Sequence, residues 1–418
     1  MRSRSPLSSS PAFLRLWVGQ TASLFGFQVA TIATSTIAIT HLHASTRALG
    51  VLSALQTAAF LLIGLPAGAW VDGWRKRPTM IVADLIRVAV LLTVPLAEAF
   101  GTLTLTHLMI VAAVLGFATV FFDVAYQSYV PALVGPGLVA DANGRLEASF
   151  QVARVGGPGL GGWLLGVLAA PFVYLFTAAA YLFSAGAILF ISDPEPAPSR
   201  AGRPGLWKRI GEGVAYVRSQ PLLAPLFACI AASAFFSQGQ VVLFPVLVLR
   251  ELGMSATALG VLLSLGAIGG IAGAIARPWL SRRLGEGRSI SVCALLGVAA
   301  TLGLPLSAGL GPCAVPLIVG ASVVSSFFLT IYNVTQMSLR QRICPPELLG
   351  RLNATFRFAV WGMMPLGSLA CGALAGVLGT TAALYLFIAG NLIAAALMAF
   401  TPAGRLDTRR DPARHRLD

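Results

Sequence analysis

Long apolar segments recur along almost the whole chain and restrict its fold more than any other feature. A helix needs about 20 mostly apolar residues to cross the hydrocarbon core of a bilayer. Twelve segments reach that length, at roughly 12–41, 46–71, 78–99, 104–130, 146–168, 171–191, 221–249, 256–280, 289–309, 313–340, 352–377 and 381–401. The sequence therefore predicts an all-α membrane protein with twelve transmembrane helices.

The small fraction of charged residues argues against the main classes of soluble protein. Asp, Glu, Lys and Arg make up 11% of the residues, whereas they are about 25% of an average soluble protein. So few charges could not cover a soluble surface of this size, which argues against a soluble enzyme, a disordered chain or a disulfide scaffold. The net charge of +14 does not indicate nucleic-acid binding, because the Lys and Arg residues lie in short clusters between the apolar segments.

The basic clusters also predict an orientation in the membrane. Every second join between apolar segments is basic, with clusters at 75–77, 200–218, 282–288 and 340–351, whereas the other joins carry only Arg47 and Arg250. Lys and Arg accumulate in cytoplasmic loops. We therefore expect a multi-pass protein of the cell (plasma) membrane with both termini in the cytoplasm.

A short repeat divides the chain into two parallel halves. The segment GRLEASF at 144–150 returns 206 residues later as GRLNATF at 350–356. Repeated six-helix halves occur in secondary transporters, with the substrate site between them near the bilayer midplane. We expect an N-terminal half over 1–191, a cytoplasmic linker with a short amphipathic helix over 192–220, a C-terminal half over 221–401 and a cytoplasmic tail over 402–418.

The join between the second and third apolar segments carries a family motif. It reads GAWVDGWRKR, from Gly68 through Asp72 to Arg77. Together with the twelve segments and the repeat, it resembles the cytoplasmic signature of the major facilitator superfamily, in which Gly-x-x-x-Asp precedes several basic residues. Gly73 departs from that signature, which usually has a basic residue there. The resemblance covers essentially the whole chain and implies a transporter that works by alternating access.

Further patterns resemble the exporters of that superfamily. The fifth apolar segment is similar to the antiporter signature of the drug/proton antiporter branch, through Gly144, Gly157, Pro158, Gly161 and Gly162. The segments DLIR at 84–87 and FDVAYQ at 122–127 resemble the branch that includes macrolide efflux and siderophore export proteins. Many members of that branch have an Asp after a Ser-x-x-Gly run in the first helix, and here Phe27 and Gln28 follow that run instead.

Ionisable residues inside the apolar segments are costly in lipid and are therefore candidate functional residues. Asp84 and Arg87 are three residues apart and share a helix face, either as a packing ion pair or as part of the transport machinery. Asp123 has no basic neighbour one turn away, so its partner must come from another helix, with Arg87 or Arg154 as candidates. We expect these four residues to couple transport to protons.

Neutral polar residues on the predicted cavity helices complete the expected substrate site. Gln and Asn must find partners in lipid, so they face the bundle interior, either for interhelical hydrogen bonds or for substrate contacts. The expected cavity residues are Gln20, Gln28, Gln127, Gln238, Gln240, Phe244, Tyr332, Asn333, Gln336 and Arg357. A mostly apolar site with few polar anchors suits an amphiphilic organic molecule rather than a sugar or an ion.

The resemblance also implies a cytoplasmic gate. A helix N-terminus attracts an anion, and Asp72 is the anion expected at the start of the eleventh helix, near Asn353. In the other half Arg277 replaces Asp72 and Glu147 replaces Asn353, so we expect those two residues to pair. The full set of gate residues is Gly68, Asp72, Arg75, Arg77, Arg277, Glu147 and Asn353.

These features together predict a secondary exporter of hydrophobic or amphiphilic small molecules, driven by proton entry and working as a monomer in the lipid bilayer. An uptake symporter of the same fold is an alternative, as are a membrane-embedded enzyme and a non-transporting scaffold. The chain has no Gly-rich phosphate loop ending in Lys-Ser/Thr, and its four His residues form no catalytic or metal-binding pattern. We therefore expect no enzyme activity, no cofactor and no metal.

Overall fold

The computed structural model describes residues 10–192, 215, 217–221, 223–344, 346–402 and 404, without the side chains of 65, 69, 72, 136, 346–355 and 357. Nearly all of these residues are helical and no strand occurs among them, which confirms the predicted all-α membrane fold. The long helices of this part of the chain are α1 (Pro11–Thr36), α2 (Thr46–Asp72), α3 (Lys76–Ala99), α4 (Leu105–Val134), α5 (Val139–Val167), α6 (Val173–Leu189), α7 (Leu223–Val246), α8 (Ala256–Leu284), α9 (Glu286–Ala300), α10 (Ala314–Ile343), α11 (Pro346–Leu378) and α12 (Thr380–Phe400).

Short helical turns extend some of these helices. Two π turns, Ile37–His41 and Leu247–Glu251, continue α1 and α7, and the turn Gly303–Leu306 follows α9. With these extensions, eleven helices of the described chain are long and apolar enough to cross a membrane. The exception is α5, a helix of 29 residues that includes two arginines, an aspartate and a glutamate among many glycines.

Several helices are longer than their apolar segments. α4 continues to Val134 instead of ending near residue 130, and Gly135 terminates it with a φ of 74°. α5 begins at Val139 rather than near 146, and α11 begins at Pro346 rather than near 352. Hydropathy marks the part of a helix that lies in lipid, whereas backbone hydrogen bonding continues into the polar layer beyond it.

The chain forms two compact units, residues 1–203 with 253–264, and residues 204–252 with 265–418. In the first unit α1 packs against α5 and α6, and α3 packs against α4 and α6. In the second unit α7 packs against α11 and α12, and α9 packs against α10 and α12. The four pairings correspond one to one, so the internal repeat extends from the sequence to the helix packing.

Glycines let the helices of the second unit approach closely. A Cβ on Gly269 of α8 would lie 2.0 Å from the carbonyl oxygen of Val323 on α10, and one on Gly273 would lie 2.3 Å from that of Phe327. Glycines four residues apart form the small-residue stripe that brings two helix backbones together in lipid, where dispersion contacts replace the hydrophobic effect as the force of association.

The predicted amphipathic helix of the linker lies almost wholly outside the described residues, as does most of the tail over 402–418.

Candidate functional site

A buried ion pair on α3 connects three helices of the first unit. Arg87 donates from Nη1 to Oδ1 of Asp84 across 2.8 Å, and the two side chains are only 3% and 0% exposed. The Arg87 guanidinium also lies 4.6 Å from the ring centroid of Phe122 on α4 and 5.0 Å from that of Tyr181 on α6. The pair therefore neutralises its own charges and holds α3 against α4 and α6.

Asp123 on α4 is half-buried and lies well inside its helix. It lies eleven residues before Val134, or about 16 Å along the axis at ~1.5 Å per residue. Of its two expected partners, Arg87 is paired with Asp84 and Arg154 is exposed. Asp123 nevertheless takes part in an interaction.

The amides of the first unit have different surroundings. Gln20 on α1 is buried, and its Oε1 has no hydrogen-bond partner in the described part of the chain. Gln28 is half-buried and packs on the glycine-rich face of α5. A Cβ on Gly157 of that helix would lie 2.5 Å from the Cβ of Gln28. Gln127 on α4 is exposed and engaged in an interaction.

In the second unit, the expected cavity residues fall into buried and exposed groups. Gln238 on α7 is buried and accepts a hydrogen bond at Oε1 from Ser368 Oγ on α11, at 3.2 Å. Phe244, Tyr332 and Gln336 are buried as well. Gln240 is half-buried and Asn333 is exposed, while the side chain of Arg357 lies outside the described residues. Gln238 thus has a structural hydrogen bond, whereas Tyr332 and Gln336 each keep a polar atom that no described residue satisfies.

The sequence reasoning missed one buried cation, Arg340 near the end of α10. It is 4% exposed, although its position in the basic cluster 340–351 predicted a cytoplasmic surface residue. The available signal was its spacing, because Arg340 follows Tyr332 and Gln336 at intervals of four residues and so shares their helix face.

The cations of the α2–α3 join bind the C-terminal ends of helices. Lys76 Nζ donates to the carbonyl oxygens of Val71 and Trp74, each at 2.7 Å. Arg77 Nε donates to the carbonyl of Ile188 near the end of α6, at 3.2 Å. Cations stabilise a helix C-terminus because its last carbonyls are unpaired and the helix dipole is negative there.

The remaining gate residues are described only in part. Arg75 is exposed, and the side chains of Asp72 and Asn353 lie outside the described residues. No described atom lies within 4 Å of a Cβ on Gly68, and its part in the gate stays a prediction.

Arg277 and Glu147 each have a partner inside their own unit. Arg277 donates from Nη2 to Ser338 Oγ at 3.0 Å. Glu147 accepts at Oε1 from Gln151 Nε2 at 2.8 Å. The first bond joins α8 to α10, and the second lies within α5.

The glycine motif of α5 forms a close helix contact over most of its length. A Cβ on Gly161 would lie 3.3 Å from Val29 Cα of α1, and Pro158 is buried beside it. A Cβ on Gly162 would lie 3.0 Å from the Cα of Gly260 in the first turns of α8, which belong to the same unit. Gly144 is different, because no described atom lies within 4 Å of the place of its Cβ.

Charges and amides buried among apolar helices, in two similarly packed units, define the class of polytopic membrane transporters. The chain belongs to the Major Facilitator Superfamily, whose family model matches residues 16–365. It is a transporter rather than an enzyme, and its substrate is a small molecule.

Similar proteins agree with this assignment. The chain is 28% identical over 372 residues to the multidrug efflux pump Tap of Mycolicibacterium fortuitum, covering 85% of this chain and 88% of that protein. It is 28% identical over 352 residues to multidrug efflux pump Tap of Mycobacterium tuberculosis, covering 81% of each. Among solved structures it resembles the nucleoside transporter NupG, with a TM-score of 0.76, 14% identity and coverage of 94% of this chain and 99% of that one.

Proposed function

We propose that this transporter exports hydrophobic or amphiphilic small molecules from the cytoplasm, with proton entry as the driving force. The observation that carries the proposal is the alignment with multidrug efflux pumps along 81–85% of the chain. An alignment of that length includes helices of both halves, so it supports a common transport cycle and not only a common fold.

The distribution of polar groups supports an amphiphilic substrate. Gln20 in the first unit and Gln336 in the second each keep a buried amide oxygen without a partner among the described residues. The second unit also has two pairs of aromatic side chains in contact, Phe235 with Phe236 on α7 and Phe327 with Phe328 on α10. A few polar anchors among adaptable apolar walls suit organic molecules that have both an apolar body and a polar group.

We also propose that both termini lie in the cytoplasm and that the protein works as a monomer. Arg15 near the start of α1 donates to the carbonyl of Phe190 after α6, and Arg77 near the start of α3 donates to that of Ile188. These bonds support one basic side of the first unit, which the positive-inside rule assigns to the cytoplasm. A single chain contains both repeat halves, which supports a monomer.

The test uses inside-out membrane vesicles and a fluorescent lipophilic dye. With an acidic vesicle interior, a proton-driven exporter accumulates the dye, and a protonophore then releases it. An uptake symporter would move the dye in the opposite direction under the same gradient. Vesicles that contain a non-transporting scaffold would behave like vesicles without the protein, and this result would refute the proposal.

A further inference from the structure

One face of α10 carries three buried polar side chains in a row. Tyr332, Gln336 and Arg340 are 6%, 5% and 4% exposed. Residues four apart lie one above the other on a helix, so the three form a column, the α10 column. Tyr332 Oη, Gln336 Oε1, and Nε and Nη1 of Arg340 are buried without a hydrogen-bond partner among the residues that the structure describes.

Arg340 is the costly member of the α10 column, because it is a cation. Its guanidinium carbon lies 3.4 Å from the ring centroid of Phe356 on α11, and that ring packs edge-on against Phe227 on α7. A cation–π contact returns only part of the free energy that is needed to remove an ion from water. The arrangement therefore requires an anion near Arg340.

The described carboxylates of the second unit have other partners. Glu286 forms an ion pair with Arg342, and Glu251 accepts a hydrogen bond from Thr381 at 3.1 Å. Among the side chains that the structure describes, no carboxylate forms an ion pair with Arg340. The anion that Arg340 needs is consequently absent from the described part of this unit.

The α10 column extends into the membrane from the basic side of the protein. Arg340 lies three residues before Ile343, where α10 ends, and is thus about 5 Å from that end at ~1.5 Å per residue. Tyr332 lies eight residues earlier, about 12 Å further toward the middle of the helix. A ligand with its charged end at Arg340 would point its other end toward the centre of the bilayer.

We propose that the α10 column binds an anionic amphiphile whose phosphate or carboxylate group pairs with Arg340. The N–H groups of Arg340 donate to the oxyanion, and the Tyr332 hydroxyl is a further donor, whereas Gln336 Oε1 accepts. An oxyanion with a neighbouring hydroxyl or N–H group matches this order. Phe327 and Phe328 pack against the apolar cluster that contains Tyr332, at the far end of the column, and suit the apolar body. The export of such a ligand rests on the proposed function, but its binding does not.

Binding is tested with the purified full-length protein in a neutral detergent, using octyl phosphate as the probe. Octanol and octyltrimethylammonium have the same alkyl chain without the anion. We expect only octyl phosphate to raise the Tm of the wild type. Arg340→Gln is expected to raise the Kd for octyl phosphate by about tenfold or more, because charge-assisted hydrogen bonds are lost.

Arg342→Gln is the matched control, because it removes an exposed cation two residues away. It is expected to keep the wild-type response to octyl phosphate. An equal response to octanol, or an equal loss in both variants, would mean that the effect is not specific to Arg340 and would overturn the proposal. Glu347, in the first turn of α11, is a carboxylate of the second unit whose side chain lies outside the described residues. The proposal is overturned as well if Glu347→Gln alone reproduces the behaviour of Arg340→Gln, because an ion pair with Glu347 would then account for Arg340.

Arg340→Met separates ligand binding from a packing role. Methionine keeps an apolar stem and removes the buried charge, so we expect the variant to unfold at the same temperature as the unliganded wild type or higher, without a response to octyl phosphate. Arg340→Lys keeps the charge and is expected to retain part of the response. Wild-type binding by Arg340→Met would contradict the proposal whatever its stability.

Two sources of the anion are separated in lipid nanodiscs and vesicles. If membrane lipid supplies it, phosphatidylglycerol raises the Tm of the wild type over phosphatidylcholine, but not the Tm of Arg340→Gln. If an exported compound supplies it, inside-out vesicles accumulate an anionic dye in an Arg340-dependent manner and a cationic dye independently of Arg340. The proposal fails if Arg340→Gln changes neither result, whereas a wild type that accumulates no dye at all refutes only the export function.

Discussion

His43 and Gly253 occupy equivalent positions in two copies of one turn, and both have a left-handed backbone, with φ of 46° and 61°. In each copy a π turn is followed by a leucine and then by the left-handed residue. Two positions after the left-handed residue, a serine caps the next helix. Ser45 Oγ accepts from Ala48 N at 3.3 Å, and Ser255 Oγ accepts from Ala258 N at 3.1 Å. The turn therefore recurs 210 residues apart in the chain. Only the second copy has glycine, the residue that best suits a left-handed backbone, at this position.

The first prediction is that His43→Gly stabilises the protein. A left-handed backbone costs an L-residue roughly 1–2 kcal/mol, and glycine avoids this cost but loses more backbone entropy on folding. We expect a net gain of up to about 1 kcal/mol, since the exposed His43 side chain loses few contacts. Gly253→Ala should destabilise by about 1 kcal/mol for the same reason. Thermal unfolding in detergent checks both, and shifts of the same sign would contradict the argument.

The second prediction concerns the buried Asp84–Arg87 pair. Removing one partner leaves an uncompensated buried charge, at a cost of about 3–5 kcal/mol. Asp84→Leu and Arg87→Met should therefore each lower the Tm and the yield of folded protein, whereas the double variant should recover most of the stability. If the double variant is no more stable than the single ones, the pair is not the reason for their instability.

Transport by the same double variant separates packing from coupling. A pair that only holds α3 against its neighbours can be replaced by apolar side chains without loss of dye accumulation. A pair that takes part in proton coupling cannot, and the stable double variant would then lack gradient-driven transport.

The third prediction compares two glycines of α5. A Cβ on Gly157 would lie 2.5 Å from Gln28 Cβ of α1, whereas no described atom lies within 4 Å of one on Gly144. Gly157→Ala should force the helices apart and cost about 1–3 kcal/mol. Gly144→Ala should be neutral or stabilise by up to ~1 kcal/mol through helix propensity. Equal Tm shifts in the two variants would show that the close contact does not determine the stability.

The helices could be predicted from the sequence because a bilayer imposes a length and an apolar composition on each of them. Their polar ends could not, because α5 and α11 begin before their apolar segments in stretches that hydropathy does not mark. The π turns after α1 and α7 also escaped prediction, since one extra residue per turn changes no composition.

The charged residues show where the sequence was informative and where it was not. The contact of Asp84 with Arg87 could be predicted, because a spacing of three residues places both on one helix face. The burial of Arg340 could not be predicted from its cluster, because an arginine at a helix end has the same flanking residues whether it reaches the headgroups or turns inward. The side-chain direction depends on α7 and α11, which approach α10 only in the folded chain.

The last prediction is that Asp123→Asn abolishes proton-driven export and leaves the protein folded. Asp123 is half-buried on α4, and asparagine keeps nearly the same shape but cannot take up or release a proton. Asp141→Asn is the matched control, because Asp141 is exposed in the first turn of α5 and its loss should leave transport unchanged.

The measurement is dye accumulation in acid-interior inside-out vesicles, together with dye movement down its own gradient without a pH difference. We expect Asp123→Asn to lose proton-driven accumulation and to keep downhill dye movement, since the pathway for the dye persists while the proton carrier is gone. Normal accumulation by this variant would remove Asp123 from the coupling mechanism and leave the Asp84–Arg87 pair as the remaining candidate among the buried charges that the structure describes in the first unit.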